Sequence, residues 1–340
     1  MPKIYSNQRK NPDGSYSYDV EEVDQINYYL MNGPNIIVKP RTIPLSAAVP
    51  KIIKGSQPTD GGNLILSEDE KNLFIKKYPQ DKKFIRQFLG AEEFIHNKKR
   101  YCLWLVDATP DEIKNNKFIY ERVKAVKEFR LKSKKIPTQK AAEIPHLFTE
   151  NRQPNSKYIL IPAVSGHLRK YIPMDFVSPE IISSNLNLMI PDAEVWQFGI
   201  LTSKVHMIWT KAICGRLGSS LRYSAKIVYN NFVWMKMEFI DYAELILAAE
   251  KILKVRKNYP NASLADLYDE VTMPKDLRDA HRAVDKIVMK IYGYDESWSD
   301  EEIAIDLLQR YKFVTDYLQE NKMKQITRQN FDDDEDFEDE

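Results

Sequence analysis

The spacing of apolar residues changes near Trp234. Before that residue, short apolar runs bounded by prolines and polar residues predict β-strands, with helices between them. The predicted strands are 35–39, 101–107, 158–162, 186–190 and 195–201. Because strands and helices mix without a regular βαβ repeat, this part of the chain predicts an α+β fold.

Two helix starts in the same part carry capping signals. Ser67 precedes Glu70 by three residues, and Thr109 is followed by Pro110 and by an acid at position 112. These signals predict one helix from about 68 to 78 and another from about 110. The apolar pattern of 204–213 predicts a further short helix.

A basic helix is predicted over 119–135, with apolar contacts from Val123, Val126, Phe129 and Leu131. Its basic residues would point outward: Arg122, Lys124, Lys127, Arg130, Lys132, Lys134 and Lys135. From 100 to 170 the sequence has fifteen Lys or Arg against seven Asp or Glu. Such clustered charge can follow a phosphate backbone, although from the count alone a solvated helix face is the better explanation.

The remainder of the chain has a helical pattern only. Apolar residues recur every three or four positions over 239–253 and 277–291, with Pro274 just ahead of the second stripe. Ser299 and Glu302 cap a third predicted helix, which ends near position 317. The last ten residues include eight acids and no basic residue, which predicts a disordered tail after this helical domain.

The first sixty residues look like a connector rather than a domain. Positions 11–14 (NPDG) form a turn signal, and five prolines between 34 and 58 break the following stretch into extended pieces. The N-terminus lacks the apolar segment of a secretory signal, and no apolar run is long enough to cross a bilayer. A cytoplasmic location without membrane contact is therefore expected.

Composition describes a globular protein of 340 residues, 43% hydrophobic and 29% charged, which is enough chain for two or three domains. The two cysteines, Cys102 and Cys214, lie in apolar surroundings without a CxxC motif, so both are predicted to be buried thiols. None of the five histidines has metal-binding spacing with another His or Cys. A Cys214–His206 nucleophile pair can be imagined, but no sequence feature orients it.

The stretch 214–234 (CGRLGSSLRYSAKIVYNNFVW) combines arginines and asparagines with glycine and serine. Arginine can form paired hydrogen bonds with guanine, and asparagine can do the same with adenine. Small residues beside them allow a backbone to approach a duplex closely. Many ordinary strands and turns have such residues, so this stretch alone is a weak signal.

The block GRLxSxxRYSxxxVYNNF resembles the end of the target recognition domain in MmeI-like restriction–modification enzymes. The likeness continues upstream through GGNLILSEDE, FIRQFLGAEEFI, RYCLWLVDATP and HMIWTKAICGRL, and downstream through NASLADLYDEVTMPKDLRDAHRAVDKIVMKIYGY. It covers most of residues 35–315 in order. The resemblance implies recognition of double-stranded DNA by an α+β recognition domain that precedes a small helical domain.

The resemblance also implies a domain order. Residues 1–60 would be the C-terminal edge of a methyltransferase domain with its connector, and 61–235 the target recognition domain. A helical C-terminal domain would follow at 236–322, and a disordered acidic tail at 323–340.

An adenine-N6 methyltransferase needs a glycine-rich loop for S-adenosylmethionine and an NPPY-type loop for the flipped base. The sequence has neither, since Asn11-Pro12 is followed by Asp-Gly. No catalytic residue, metal site or cofactor is therefore assigned to this chain. The family resemblance implies S-adenosylmethionine and Mg²⁺ for catalytic domains located elsewhere.

By resemblance, positions between GRL and RYS determine which base pairs are accepted. The candidate base-reading residues are Arg222, Ser220, Gly218 and Arg216, and a structural salt bridge is an equally good explanation for Arg216. Glycine and serine stand where family members often have charged residues, which leaves Arg222 as the main base reader. The candidate phosphate-binding residues are Arg130, Lys132, Lys134, Lys135, Arg152, Arg169, Lys170 and Lys204.

The leading hypothesis is a sequence-specific recognition module of an adenine-N6 methyltransferase and restriction enzyme. The chain would be a truncated piece of a longer protein, or a natural fragment whose methyltransferase and nuclease are a separate polypeptide. The alternative is a non-catalytic interaction or regulatory subunit whose basic face binds an acidic partner or its own tail. A third hypothesis, RNA binding, lacks a recognised RRM or KH module.

Overall fold

The computed structural model describes the backbone of residues 1–335, and within it the side chains of 1–6 and 8–321. The strands are β1 (Lys3–Lys10), β2 (Tyr16–Glu22), β3 (Ile53–Lys54), β4 (Ile65–Leu66), β5 (Ile85–Leu89), β6 (Tyr101–Leu103), β7 (Tyr158–Pro162), β8 (Val164–Ser165), β9 (Asp175–Val177), β10 (Ile182–Ser183), β11 (Asn187–Pro191), β12 (Gly215–Leu217) and β13 (Ser220–Arg222).

The helices are α1 (Glu68–Lys77), α2 (Ala91–His96), α3 (Pro110–Asn115), α4 (Lys117–Leu131), α5 (Ile136–Lys140), α6 (Val195–Leu201), α7 (Lys204–Ile213), α8 (Phe239–Arg256), α9 (Leu264–Leu267), α10 (Lys275–Tyr292) and α11 (Asp300–Glu335). A single π-helical turn spans Ala225–Tyr229. The predicted α+β class is confirmed, with mixed structure up to the turn and helices alone after it.

Four small sheets organise the described strands. β1 and β2 form a hairpin, and the other sheets have the orders β10-β5-β6-β4, β3-β11-β7-β9 and β12-β13-β8. One hydrophobic cluster is formed by side chains of the sheet β10-β5-β6-β4 and of helices α1 and α4. A larger cluster joins β7, β11, α6 and α7 to the C-terminal helices. The stretch 214–234 and the C-terminal helices therefore share one core.

The N-terminal segment is more deeply integrated than a connector. The predicted turn at 11–14 is confirmed between β1 and β2. The predicted strand 35–39 is wrong, because these residues have no ladder partner. Instead Ile36, Val38 and Ile52 are buried in the larger cluster, so the segment packs on the domain by side chains.

The predicted strand 195–201 is also wrong, because these residues form α6. A short apolar run buried on all sides fits either element, so periodicity cannot decide between them. The packing decides: a Cβ added to Gly199 would lie 2.8 Å from Leu245 Cδ1 on α8. A side chain at this position would push the two helices apart.

The predicted strand 101–107 is shorter than expected, since β6 ends at Leu103. The capping predictions are confirmed, with reciprocal hydrogen bonds between Ser67 and Glu70 and between Thr109 and Glu112. The predicted basic helix corresponds to α4. Its apolar prediction is only partly right, because Phe129 and Leu131 are about half exposed.

The three predicted C-terminal helices are confirmed as α8, α10 and α11. Pro274 precedes α10, and Ser299 accepts a hydrogen bond from the backbone of Glu302 at the start of α11. α11 continues to Glu335, beyond the predicted end near 317. Side chains from 322 and residues 336–340 lie outside the described part, so the predicted disorder of the tail stays a prediction.

Candidate nucleic-acid interface

The stretch 214–234 forms a small sheet followed by the π-helical turn. β12 and β13 pair antiparallel, and β13 also pairs with β8. Leu221 is buried, while its neighbours Ser220 and Arg222 alternate to the other face, one half-buried and one exposed. Gly218 joins the two strands with φ of +59°, where a side chain would be strained. This sheet presents Ser220 and Arg222 on one accessible face.

Arg222 lines a groove of about 990 Å³, whereas Ser220 and Gly218 lie outside its lining. Its lining includes residues of β8 and β13, of the π-helical turn, of the segment that leads into β3, and of β11 with the loop before it. Apolar side chains such as Ile52 and Leu188 line it alongside neutral polar ones such as Ser224. The groove thus brings together residues that are about 170 positions apart in the sequence.

Within the described residues, every charged side chain that lines this groove is basic. The four are Lys54, Arg152, Arg222 and Lys226. Arg152 pairs with Glu150, with 2.6 Å between Nη1 and Oε2, and the other three have no ion pair in the described part of the chain. A surface lined by basic side chains attracts phosphate groups and raises association rates with nucleic acids.

Arg216 lies outside the groove lining and is exposed. Its Nη2 donates to the carbonyl oxygen of Lys211 at 3.3 Å. A salt bridge, the alternative explanation for this residue, does not occur among the described side chains. Arg216 is therefore free to turn toward a ligand from the edge strand β12.

The asparagines of this stretch do not face the groove as free base readers. Asn231 is fully buried, and its Nδ2 donates to the carbonyl oxygens of Lys39, Lys226 and Ile227 at 2.9–3.0 Å. Asn230 is 3% exposed, and its Nδ2 donates to the carbonyl oxygen of Arg41 at 2.9 Å. Both amides therefore hold the backbone rather than a base.

The aromatic residues of the stretch belong to the core. Tyr223, Tyr229 and Phe232 are buried, and Trp234 packs against Phe232 with ring centroids 5.4 Å apart. The Tyr223 hydroxyl is 3.0 Å from Nε2 of His206. Burial lowers the pKa of His206 to about 3, so this histidine is neutral in the folded chain.

One predicted phosphate ligand is wrong. Arg130 is fully buried, and its guanidinium donates to five backbone carbonyl oxygens that surround the end of α4. Burial also lowers its pKa. A phosphate cannot replace these partners without opening the structure, so Arg130 is a structural residue.

The other predicted phosphate-binding residues differ in exposure and in the partners they already have. Four lysines are exposed: Lys132, Lys134, Lys135 and Lys170. Lys204 pairs with Asp300, with 2.8 Å between Nζ and Oδ1. Arg169 is half-buried, and burial lowers its pKa. Of the predicted phosphate ligands, only Arg152 lines the groove.

Two groove residues were not among the predicted ligands. Lys54 lies on β3, and Lys226 lies in the π-helical turn. The sequence around Lys54 predicts a proline-rich connector, so the placement of Lys54 beside the stretch 214–234 depends on tertiary packing. Lys226 lies inside the recognition stretch, and its spacing of four residues from Arg222 is the signal that could have identified it.

The described residues contain no cluster of three or more His, Cys, Asp or Glu side chains suited to a metal ion. Cys102 is buried and Cys214 half-buried, and burial raises the pKa of both thiols. Neither cysteine forms a hydrogen bond with His206, whose Nε2 contacts Tyr223 instead. No helix of the described chain is long and apolar enough to span a bilayer.

Residues 32–236 match the family described as "MmeI, target recognition domain", and residues 243–319 match "MmeI, C-terminal domain". The chain belongs to the MmeI family. The two matched regions meet where the mixed structure gives way to helices, just before α8. In this MmeI-family chain every residue that lines the groove lies within the region that matches the recognition domain.

Two relatives place the family match on longer proteins. DNA methyltransferase A of Bacillus subtilis (strain 168) is 39% identical over 294 residues, which are 86% of this chain and 33% of that protein. A solved structure of the type IIL restriction-modification enzyme MmeI in complex with DNA is 40% identical, with a TM-score of 0.86. That match covers 92% of this chain and 41% of the MmeI chain. The chain thus spans about a third of the curated relative.

The cofactors implied by the family do not fit residues of this chain. The sequence lacks the glycine-rich and NPPY-type loops that would hold S-adenosylmethionine and a flipped adenine. The described acids form no metal-binding cluster.

Proposed function

We propose that this chain recognises a specific sequence in double-stranded DNA. The observation that carries the proposal is the groove, in which four basic side chains and no acid surround the exposed face of β13. A duplex carries one negative charge per about 1.7 Å of its axis, so a surface with this charge pattern suits its backbone. The MmeI structure in complex with DNA supports the same ligand class.

The groove residues divide into two roles. Arg222 stands on the exposed face of β13 without an ion pair in the described structure, so its guanidinium can form paired hydrogen bonds with guanine. Ser220, Gly218 and Arg216 lie in the same hairpin and would contact neighbouring positions. Lys54, Lys226 and Arg152 would contact phosphates, which fixes the register without reading sequence.

The exposed lysines outside the groove extend the phosphate-binding surface in this proposal. They are Lys132, Lys134, Lys135 and Lys170, and Arg169 and Lys204 would join them after changes in their local contacts. A contact of this kind adds affinity for any duplex.

In the same proposal, the chain serves an adenine-N6 DNA methyltransferase and restriction enzyme. Its DNA contacts would place a target adenine and a cleavage site before catalytic domains, located either on a longer chain or on a separate polypeptide. The proposed division is the C-terminal edge of a methyltransferase domain with its connector (1–60), a target recognition domain (61–235), a helical domain (236–322) and an acidic tail (323–340).

A titration of fluorescent duplexes tests the groove as the binding site. We expect the chain to bind a mixed-sequence duplex with an affinity that falls steeply with salt, and Lys54→Glu with Lys226→Glu to abolish that binding. Glu substitutions at Lys251 and Lys254, exposed on α8, serve as the matched control for net charge. Equal losses in both double variants would show that the groove is not the site.

A further inference from the structure

A strap of residues 39–50 is hydrogen-bonded to the π-helical turn and to the residue that follows it. It has no ladder or helix of its own, and Pro40, Pro44 and Pro50 lack backbone donors. The strap is fixed by single hydrogen bonds instead. The Arg41 N–H donates to the Lys226 carbonyl oxygen, and the Leu45 N–H donates to the Asn230 carbonyl oxygen, both at 2.9 Å.

Three side chains at the turn donate to carbonyl oxygens of the strap: the Tyr229 hydroxyl to Pro50, Asn230 Nδ2 to Arg41 and Asn231 Nδ2 to Lys39. Asn231 is the one that also bonds the carbonyl oxygens of the turn itself. Its single Nδ2 lies 3.0 Å from the carbonyl oxygen of Lys39 on the strap and 2.9 Å from that of Lys226 on the turn. It also lies 3.0 Å from the carbonyl oxygen of Ile227. The residue is fully buried, so water cannot substitute for these bonds in the folded chain.

The turn needs this support because it is one turn long. A helix end leaves its last carbonyl oxygens without partners inside the helix. Here the carbonyl oxygens of Lys226 and Ile227 accept from Asn231, and that of Lys226 also accepts from the strap. π-Helical turns are rare in proteins overall, and those that do occur are often found at functional sites.

We propose that Asn231 is a positioning residue of the DNA interface, which holds the Lys226 ammonium in the groove by fixing the backbone of Lys226. The inference rests on the proposed function. Lys226 is exposed and lines the groove together with Thr42 of the strap, and the Asn231 amide bonds the backbone of both the turn and the strap. Asn231 itself touches no DNA in this proposal.

A double-mutant cycle tests whether Asn231 acts through Lys226. We expect Asn231→Ala and Lys226→Ala to weaken duplex binding to the same extent, within about twofold, and the double variant to be no weaker than either single one. Each change should also make the slope of log affinity against log salt shallower by about 0.9, the value for one lost phosphate contact. Additive losses, or an Asn231→Ala protein with wild-type binding, would refute the inference.

A stability control separates positioning from general loosening. Leu245→Ala removes a fully buried side chain of α8, which packs beside Gly199 of α6. At a temperature where all variants are folded, Leu245→Ala should keep the wild-type salt slope although its Tm falls as far as that of Asn231→Ala. A shallower slope in Leu245→Ala as well would assign the effect to stability alone.

Hydrogen exchange supplies a measurement that does not depend on DNA. The amide protons of Arg41 and Leu45 should exchange faster in Asn231→Ala than in Leu245→Ala. Unchanged exchange together with normal DNA binding would remove the inference and leave the proposed function intact. If the wild-type chain bound no duplex at all, the proposed function would fail and the positioning role would fail with it.

Discussion

At the residue scale, the arginines and lysines of the groove differ in what they can recognise. Arg222 lies on a strand whose backbone is fixed by pairing on both sides, with β12 and β8. Its fork of donors suits a guanine edge, whereas a lysine ammonium offers no planar pattern and suits a phosphate. Specificity and affinity should therefore separate when these residues are replaced.

Arg222→Ala should relax specificity at one base pair, at a cost of about 1–3 kcal/mol for the preferred duplex. The matched changes are Lys226→Ala in the groove and Lys132→Ala outside it, each of which should weaken all duplexes alike. Titrations of preferred and random duplexes at two salt concentrations distinguish the outcomes. Equal effects of all three changes on both duplexes would contradict the assignment of Arg222.

Arg130 illustrates how burial reverses the role of a basic residue. Arg130→Met should lower the free energy of unfolding by about 3 kcal/mol or more, because five buried carbonyl oxygens would lose their charged donor. Lys132→Ala, two residues away and exposed, should change it by no more than about 0.5 kcal/mol. Urea unfolding measures both, and similar values for the two variants would contradict this role.

At the element scale, the sequence predicted the elements that carry their own local signals. The capping boxes of α1 and α3, the stripes of α8 and α10 and the strand β7 all lie where the pattern places them. Each of these depends on neighbours within one element. The class and the order of elements could therefore be predicted from the sequence.

The errors arose where tertiary contacts decide the outcome. The run Val195–Leu201 is equally apolar as a strand or a helix, and its contact with α8 makes it α6. The segment 35–39 is apolar enough for a strand but finds no pairing partner. The same limit applies to the site, since Arg222 has a local signature and Lys54 reaches the groove only through folding.

The packing of α6 on α8 gives an element-scale prediction. Gly199→Ala should reduce the free energy of unfolding by about 1–3 kcal/mol, because the added Cβ would meet Leu245 at 2.8 Å. Gly166→Ala is the control, since a Cβ at that loop position would contact nothing within 4 Å. Chemical denaturation provides the comparison, and a Gly199→Ala chain as stable as the control would rule out the tight contact.

At the scale of the whole molecule, buried polar contacts join the mixed α+β region to the C-terminal helices. Tyr171 of the recognition region donates to Asp285 of α10 at 2.6 Å, and its ring stacks on His281. Arg256 of α8 donates through Nη1 to the Met174 carbonyl oxygen at 2.7 Å. These contacts make the stability of the two parts interdependent and sensitive to pH.

Stability should fall as the pH decreases from about 6.5, the value for a histidine in the unfolded chain. Burial lowers the pKa of His206 to about 3 and lowers that of His281, so the unfolded chain takes up these protons more readily. Asp285 acts oppositely: burial raises its pKa to about 6, so its contribution is present at low pH and is lost as the pH rises through 6.

The two histidines should outweigh Asp285 and give a net loss of about 1.4 kcal/mol for each pH unit below 6. His206→Gln should remove most of this slope, because the contributions of His281 and Asp285 to the pH dependence then oppose each other. Urea unfolding from pH 7 to pH 4.5 measures the effect. A wild-type slope in the variant would contradict the assignment of the pH dependence to His206.

Selection from a pool of random duplexes tests the central claim most directly. The full chain is incubated with the pool at a salt concentration that suppresses nonspecific binding, and the bound duplexes are sequenced over several rounds. The account predicts enrichment of one short motif by the wild-type chain and relaxation of one position by Arg222→Ala. A pool that remains random after selection would contradict sequence recognition by this chain.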